Sequence, residues 1–341
     1  MLLKKGLHRT LTTSVVTVAL SFGYGLTTVA QALTLNGAGA TFPKPLYDRY
    51  FAEFTKKNPD LKINYEAIDS GGGIKQMTAG TVDFAGSDAA MTDEEISKVS
   101  KGVVMVPTAG GAVSVVYNLP GVRNLKLSRT VLPGIFTGKI TRWNDAKIAA
   151  DNSGVNLPNK PIRLVVRSDS SGTSFIFTNH LNALDSSIKA EKAPSWSGSP
   201  LSGKGNPGVA ALVKQTEGAI GYVEASFAKQ GNISAALVQN KAGRFVAPTV
   251  DEANKAISSI KFPTNFRVFE KDPADGYPIT GLTWLLFYKQ YEPAKAEAVK
   301  KLVQWILTDG QAINNSLEYT QIPKDTASKA IQAINSEVAS K

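Results

Sequence analysis

Three short turns hold the residues of this chain best suited to chemistry. N-G-A-G-A-T-F-P (36–43) carries Thr41, and I-D-S-G-G-G-I-K-Q (68–76) carries Ser70. R-S-D-S-S-G-T-S-F (167–175) carries Arg167, Asp169, Ser171, Gly172 and Thr173. Each turn sets small and hydroxylated residues where an extended run gives way to a helical one. The first N–H groups of a helix have no internal partner, and the helix dipole is positive there, so an anion is welcome. Glycine lets the backbone come close, and Ser or Thr adds a donor without a full charge. One such turn is no more than a helix cap. Three of them, with Arg167, point to a site for a small oxyanion.

A fourth run, T-V-D-F-A-G-S-D (81–88), adds Asp88. Taken alone, this residue reads as a helix cap or a solvated acid. Beside an anion site, an ionised carboxylate can only accept hydrogen bonds. It would accept one from phosphate, which keeps a proton near neutrality, and would repel sulfate, which has none.

Competing chemistries find little material. The chain has no cysteine and two histidines, His8 and His180, so zinc binding and Ser-His-Asp catalysis are poorly served. His180 reads as a helix-surface or packing residue, and neither a metal nor a cofactor is expected. G-A-G-A-T-F has Phe42 where a dinucleotide fingerprint needs its third glycine, and G-S-P-L-S-G-K-G (198–205) ends in Gly205 where a P-loop needs Ser or Thr. No G-x-S-x-G elbow occurs, so Ser171 has no evident means of activation.

The elements that must position these turns follow from periodicity. Leu46, Tyr47, Tyr50, Phe51 and Phe54 recur at helical spacing, with Pro43 and Pro45 at the helix start. L-K-I-N-Y-E-A-I (61–68) alternates as a strand, while V-V-M-V-P (103–107) and A-V-S-V-V-Y-N (112–118) read as two buried strands. P-I-R-L-V-V-R (161–167) is another strand, followed by a helical face of Phe177, Leu181 and Leu184; Val299, Leu302, Val303 and Ile306 form a late helical stripe. Strand–helix alternation of this kind predicts an α/β fold with largely parallel sheets. The Gly/Ser-rich run at 195–208 reads as a surface loop, and D-P-A-D-G-Y-P (272–278) as a turn cluster.

The amino-terminal end has the layout of a secretory leader: Lys4, Lys5 and Arg9, an apolar stretch, then Ala30-Gln31-Ala32. Cleavage after Ala32 would give a soluble exported protein without stable membrane insertion. The formal charge of the whole chain is +10, and the cations are scattered with no Lys/Arg tract, which disfavours a nucleic-acid partner. The length after the leader suggests two domains with enough core to need no disulfide.

The same four runs, together with G-K-I-T-R-W-N-D (138–145), G-K-G-N-P-G-V-A-A-L-V (203–213) and E-G-A-I-G-Y-V-E-A-S-F-A-K-Q (217–230), resemble the periplasmic phosphate-binding proteins of ABC-type phosphate importers, the PstS family. The likeness spans nearly the whole chain after the leader. It implies the type II periplasmic-binding-protein fold: two α/β lobes joined by crossover strands, with the ligand in the cleft. Lobe 1 would be 33–115 with 284–341, and lobe 2 would be 116–283. The resemblance implies phosphate contacts from Thr41, Phe42 through its backbone, Ser70, Asp88, Arg167, Ser171, Gly172 and Thr173, with Asp169 holding the Arg167 guanidinium. It also implies a periplasmic monomer that delivers phosphate to ABC permease subunits and is not an enzyme. Where the family often reads G-S-S-G-G, this chain has Asp69-Ser70-Gly71-Gly72-Gly73, so Asp69 puts an acid beside the anion site. The alternatives are a receptor for another oxyanion of the sulfate or molybdate class and, in a different class, an exported phosphatase or Ser hydrolase.

Overall fold

The computed structural model describes residues 32–341. The leader expected over 1–32 lies outside the described residues except for Ala32. Strand β1 (Leu33–Gly39) leads into helix α1 (Lys44–Lys57), strand β2 (Leu61–Ala67), helix α2 (Ser70–Ala79) and strand β3 (Phe84–Ser87). β1 pairs in parallel with both β2 and β3, so their carboxyl ends emerge at one edge. The helical stripe of α1 is buried as its spacing predicts: Leu46, Tyr47, Tyr50, Phe51 and Phe54 all face the core. Burial of side chains this large stabilises by about 1.5–3 kcal/mol each. Pro43 and Pro45 sit where the first turn has no internal N–H bond to lose.

The expectation of two strands at 103–107 and 112–118 is corrected. One strand, β4 (Val103–Tyr117), runs through both, and every residue in it is buried. The intervening glycines do not break it, because Gly110 and Gly111 are paired with Leu282 and Gly281 of the strand at 280–288. A Cβ on Gly110 would stand 2.0 Å from Ile257 Cδ1 and 2.7 Å from Thr320 Oγ1, so a larger residue would displace both side chains.

Three further strands follow: β5 (Arg163–Arg167), β6 (Leu201–Gly203) and β7 (Ala219–Glu224). Helix α3 (Gly172–Leu184) follows β5, and helix α4 (Gly205–Gln215) follows β6. β5 pairs in parallel with β6 and β7, so the end of β5 also opens into a helix start. The loop expected over 195–208 therefore contains a strand and the first turn of a helix. Its Gly/Ser content hides this, since the pairing of Leu201–Gly203 with Val165–Arg167 is a tertiary contact.

Strand β8 (Thr280–Tyr288) inserts between β3 and β4, antiparallel to each. The resulting path is β2-β1-β3-β8-β4-β7-β5-β6. β4 is its pivot: Val103 to Ala112 pair with β8, and Val113 to Tyr117 pair with β7. Helices α5 (Pro293–Leu307) and α6 (Lys324–Glu337) close the chain. The stripe Val299, Leu302, Val303 and Ile306 is buried in α5. Among the described residues, no helix is long and apolar enough to cross a membrane.

Candidate functional site

The carboxyl ends of β1, β2, β3 and β5 bring the four runs together. Asp88 follows β3 and is 2% exposed. Thr283 in β8 donates its hydroxyl to Asp88 Oδ1 at 2.8 Å. Oδ2 has only the Ser70 hydroxyl, at 3.5 Å. Burial pushes the Asp88 carboxyl up to about 7, against the opposing pull of the Thr283 bond and the Arg167 charge.

Ser70, the first residue of α2, joins the runs. Its Oγ accepts from the backbone N–H of Asp88 and of Gly172, both at 3.1 Å. Gly172 must be glycine: a Cβ would stand 2.4 Å from Ser70 Oγ and 2.7 Å from Asp88 Oδ2. Gly71 N–H donates to the Ser170 carbonyl at 2.9 Å, so the starts of α2 and α3 meet directly. Asp69 is the N-cap of α2 and accepts from Gly72 N–H at 2.6 Å, which gives this acid a local role in the helix start.

Arg167 ends β5 with its side chain 2% exposed. Nε and Nη2 donate to the two oxygens of Asp169, each at 2.7 Å. Asp169 Oδ2 also accepts from Gly205 N–H at 3.2 Å. This fork–fork pair fixes the plane of the guanidinium. The remaining terminal nitrogen, Nη1, is buried with no protein partner. A buried guanidinium N–H left in this way calls for an acceptor.

Ser171 caps α3 by accepting from Ser174 N–H at 3.0 Å, which uses a lone pair and leaves its proton to donate. Thr41 and Thr173 are 5% and 0% exposed and meet at a residue that sequence reasoning missed, Asn206 of α4. Its Nδ2 donates to Thr41 Oγ1 at 3.0 Å and to Thr173 Oγ1 at 3.1 Å. The Phe42 carbonyl accepts from Tyr319 at 2.7 Å, and the Tyr319 hydroxyl also lies 2.9 Å from Glu224 Oε2. Burial pushes the Glu224 carboxyl up to about 8. Asn206 was hidden inside a run read as a loop, and no local signal marked Tyr319, Thr283 or Glu224.

Nothing in this arrangement equips Ser171 as a nucleophile. His180 lies in the core with Nδ1 2.9 Å from the Lys271 carbonyl, and burial lowers it to about 4. It is the packing residue that the sequence suggests. The described residues include no cluster of acids and histidines fit for a metal. The site gathers hydroxyl and guanidinium donors, one positive charge and one buried carboxyl, which suits a small tetrahedral oxyanion.

Comparison with known proteins points the same way. The family model for the PBP superfamily domain matches residues 26–310. The phosphate-binding protein PstS of Pasteurella multocida is 37% identical over 328 residues, covering 93% of this chain and 94% of that protein. PstS of Methanocaldococcus jannaschii is 35% identical over 336 residues, covering 89% and 86%. Among solved structures, a high-affinity periplasmic phosphate-binding protein, PfluDING, bound with phosphate, superposes with a TM-score of 0.76 at 22% identity, covering 88% of this chain and 94% of that one. The chain shares its fold with such proteins and, by sequence, belongs to the PstS family of phosphate-binding proteins within the PBP superfamily.

Proposed function

We propose that this protein is a receptor that binds inorganic phosphate outside the cytoplasmic membrane and hands it to an ABC-type permease, without chemical turnover. The observation that carries the reading is the buried Arg167, clamped by Asp169 with Nη1 left to an anion, among the site's hydroxyl and backbone donors. In this reading Thr41, the Phe42 N–H, Ser70, Arg167, Ser171 and Thr173 donate to phosphate, Gly172 N–H exchanges its Ser70 acceptor for the anion, and Asp88 Oδ2 accepts the phosphate proton. Each hydrogen bond to a charged group contributes roughly 1.5–3 kcal/mol. Several together exceed the ~8 kcal/mol that micromolar binding needs, after desolvation and closure costs.

The lobes are assigned as 33–115 with 284–341, and 116–283. The hand-over of β4 from β8 to β7 between Ala112 and Val113 supports this division. Thr41, Phe42, Ser70 and Asp88 then come from one lobe, and Arg167 with Ser171–Thr173 from the other. Phosphate bridging them favours the closed state by contacts made only on closure. Leader removal after Ala32, residence in the periplasm and a monomeric state complete the proposal. Calorimetric titration of refolded, ligand-stripped protein with phosphate, arsenate and sulfate tests it. Tight binding of phosphate with exclusion of sulfate is expected; equal binding of sulfate overturns it. Sustained, Ser171-dependent release from a chromogenic phosphate ester would establish the hydrolase alternative instead.

A further inference from the structure

We infer that Asn206 is a positioning residue that makes Thr41 an obligate donor to the anion, and that it biases Thr173 the same way by occupying one of its two lone pairs. The inference rests on the phosphate reading of the site. A threonine hydroxyl has one proton and two lone pairs, and free rotation lets it either donate or accept. Asn206 removes that freedom. Its backbone N–H and its Nδ2 both donate to Thr41 Oγ1, at 3.1 and 3.0 Å, which uses both lone pairs and leaves only the proton. The second proton of Nδ2 goes to Thr173 Oγ1 at 3.1 Å.

The orientation of the amide is not open to exchange of its oxygen and nitrogen. Asn206 Oδ1 accepts from the backbone N–H of Glu224 at 2.9 Å, a group that can only donate. The nitrogen must therefore face the threonines. Asn206 and Glu224 are 0% exposed, so water does not compete for these bonds. Thr41 follows β1 and Thr173 lies in the first turn of α3, so one amide spans residues from the two ends of the strand path. Asn206 and Thr173 fall in one assigned lobe and Thr41 in the other, so the bonds to Thr41 form as the lobes meet and fix its proton on the anion at closure.

The test is a cycle of substitutions read by calorimetric phosphate titration, with melting of each ligand-free variant to show that it folds. Asn206→Ala is expected to weaken phosphate binding about 10–100-fold. In a Thr41→Val/Thr173→Val background the same substitution should cost about twofold or less, because the hydroxyls it acts through are gone. A purely structural role would give the same cost in both backgrounds, and that result overturns the inference, as does unchanged affinity in a folded Asn206→Ala. Should Asn206→Ala fail to fold, Asn206→Leu keeps the bulk, removes the two side-chain donors without adding a charge, and enters the same cycle. Loss of binding in Arg167→Ala with unchanged binding in Asn206→Ala removes this inference alone. Absence of phosphate binding in the wild-type protein removes the reading beneath it as well.

Discussion

Asp88→Asn keeps the shape of the site and changes one property of it. In the wild type Thr283 occupies Oδ1 at 2.8 Å, and Oδ2 keeps only the weak Ser70 contact at 3.5 Å. The amide oxygen of the variant can keep the Thr283 bond, which places an NH₂ donor where Oδ2 stood. Above about pH 8 the wild-type carboxyl is ionised, since burial pushes it up only to about 7. A sulfate oxygen facing it would then be an acceptor against an acceptor. Two like charges about 4 Å apart at an effective dielectric near 20 repel by ~4 kcal/mol, or about a thousandfold in affinity. Sulfate binding at about pH 8.5 should therefore rise by about 10²–10³-fold in the variant. Phosphate should change by less than about tenfold, because it loses one acceptor and gains one donor. Wild-type sulfate affinity should also rise as pH falls through about 7, where Asp88 gains a proton it can donate; the variant should lack this rise. Calorimetry at two pH values reads all of these. A folded Asp88→Asn that binds phosphate and still excludes sulfate at about pH 8.5 refutes the reasoning.

Other perturbations act on different parts of the site. Arg167→Ala removes the charge and leaves Asp169 buried without its partner; phosphate affinity should fall by at least about a thousandfold in the same titration. Gly172→Ala drives a methyl into Ser70 Oγ and Asp88, so it should weaken phosphate binding at least about tenfold and lower the melting gain that phosphate gives. Glu224 holds its proton to about 8 when folded and to 4.5 when unfolded. Its contribution is therefore fully present below 4.5 and is lost as pH rises to about 8, with a slope of up to ~1.4 kcal/mol per pH unit. Urea unfolding of ligand-free Glu224→Gln across that window should show a flatter profile than the wild type; parallel profiles would contradict it.

Much of the site's composition was legible because each run is local: a hydroxyl or glycine beside a helix start announces its chemistry within a few residues. The family resemblance implies the pairing of Arg167 with Asp169, and the two side chains are bonded through both carboxylate oxygens. Asn206, Thr283, Glu224 and Tyr319 were not legible, because their partners lie 18 to 277 positions away along the chain. The same limit applies to the fold. The amphipathic stripe of α1 declares itself, but Leu201–Gly203 becomes a strand only through β5. Gly110 and Gly111 suggest a break until their pairing with Leu282 and Gly281 is seen.

The placement of β8 between β3 and β4 bears on how the chain acquires its structure. β3 ends at Ser87 and β4 begins at Val103, yet the strand that joins them starts at Thr280. A ribosome or export channel that releases the chain from its amino terminus would present β1, β2, β3 and β4 long before their shared neighbour exists. Two edges meant to be interior stay open during that interval, and closing them takes contacts across nearly two hundred residues. Such topology folds slowly and late. Asp88 receives the Thr283 hydroxyl only when β8 docks, so this part of the binding site forms in the same event that closes those two edges.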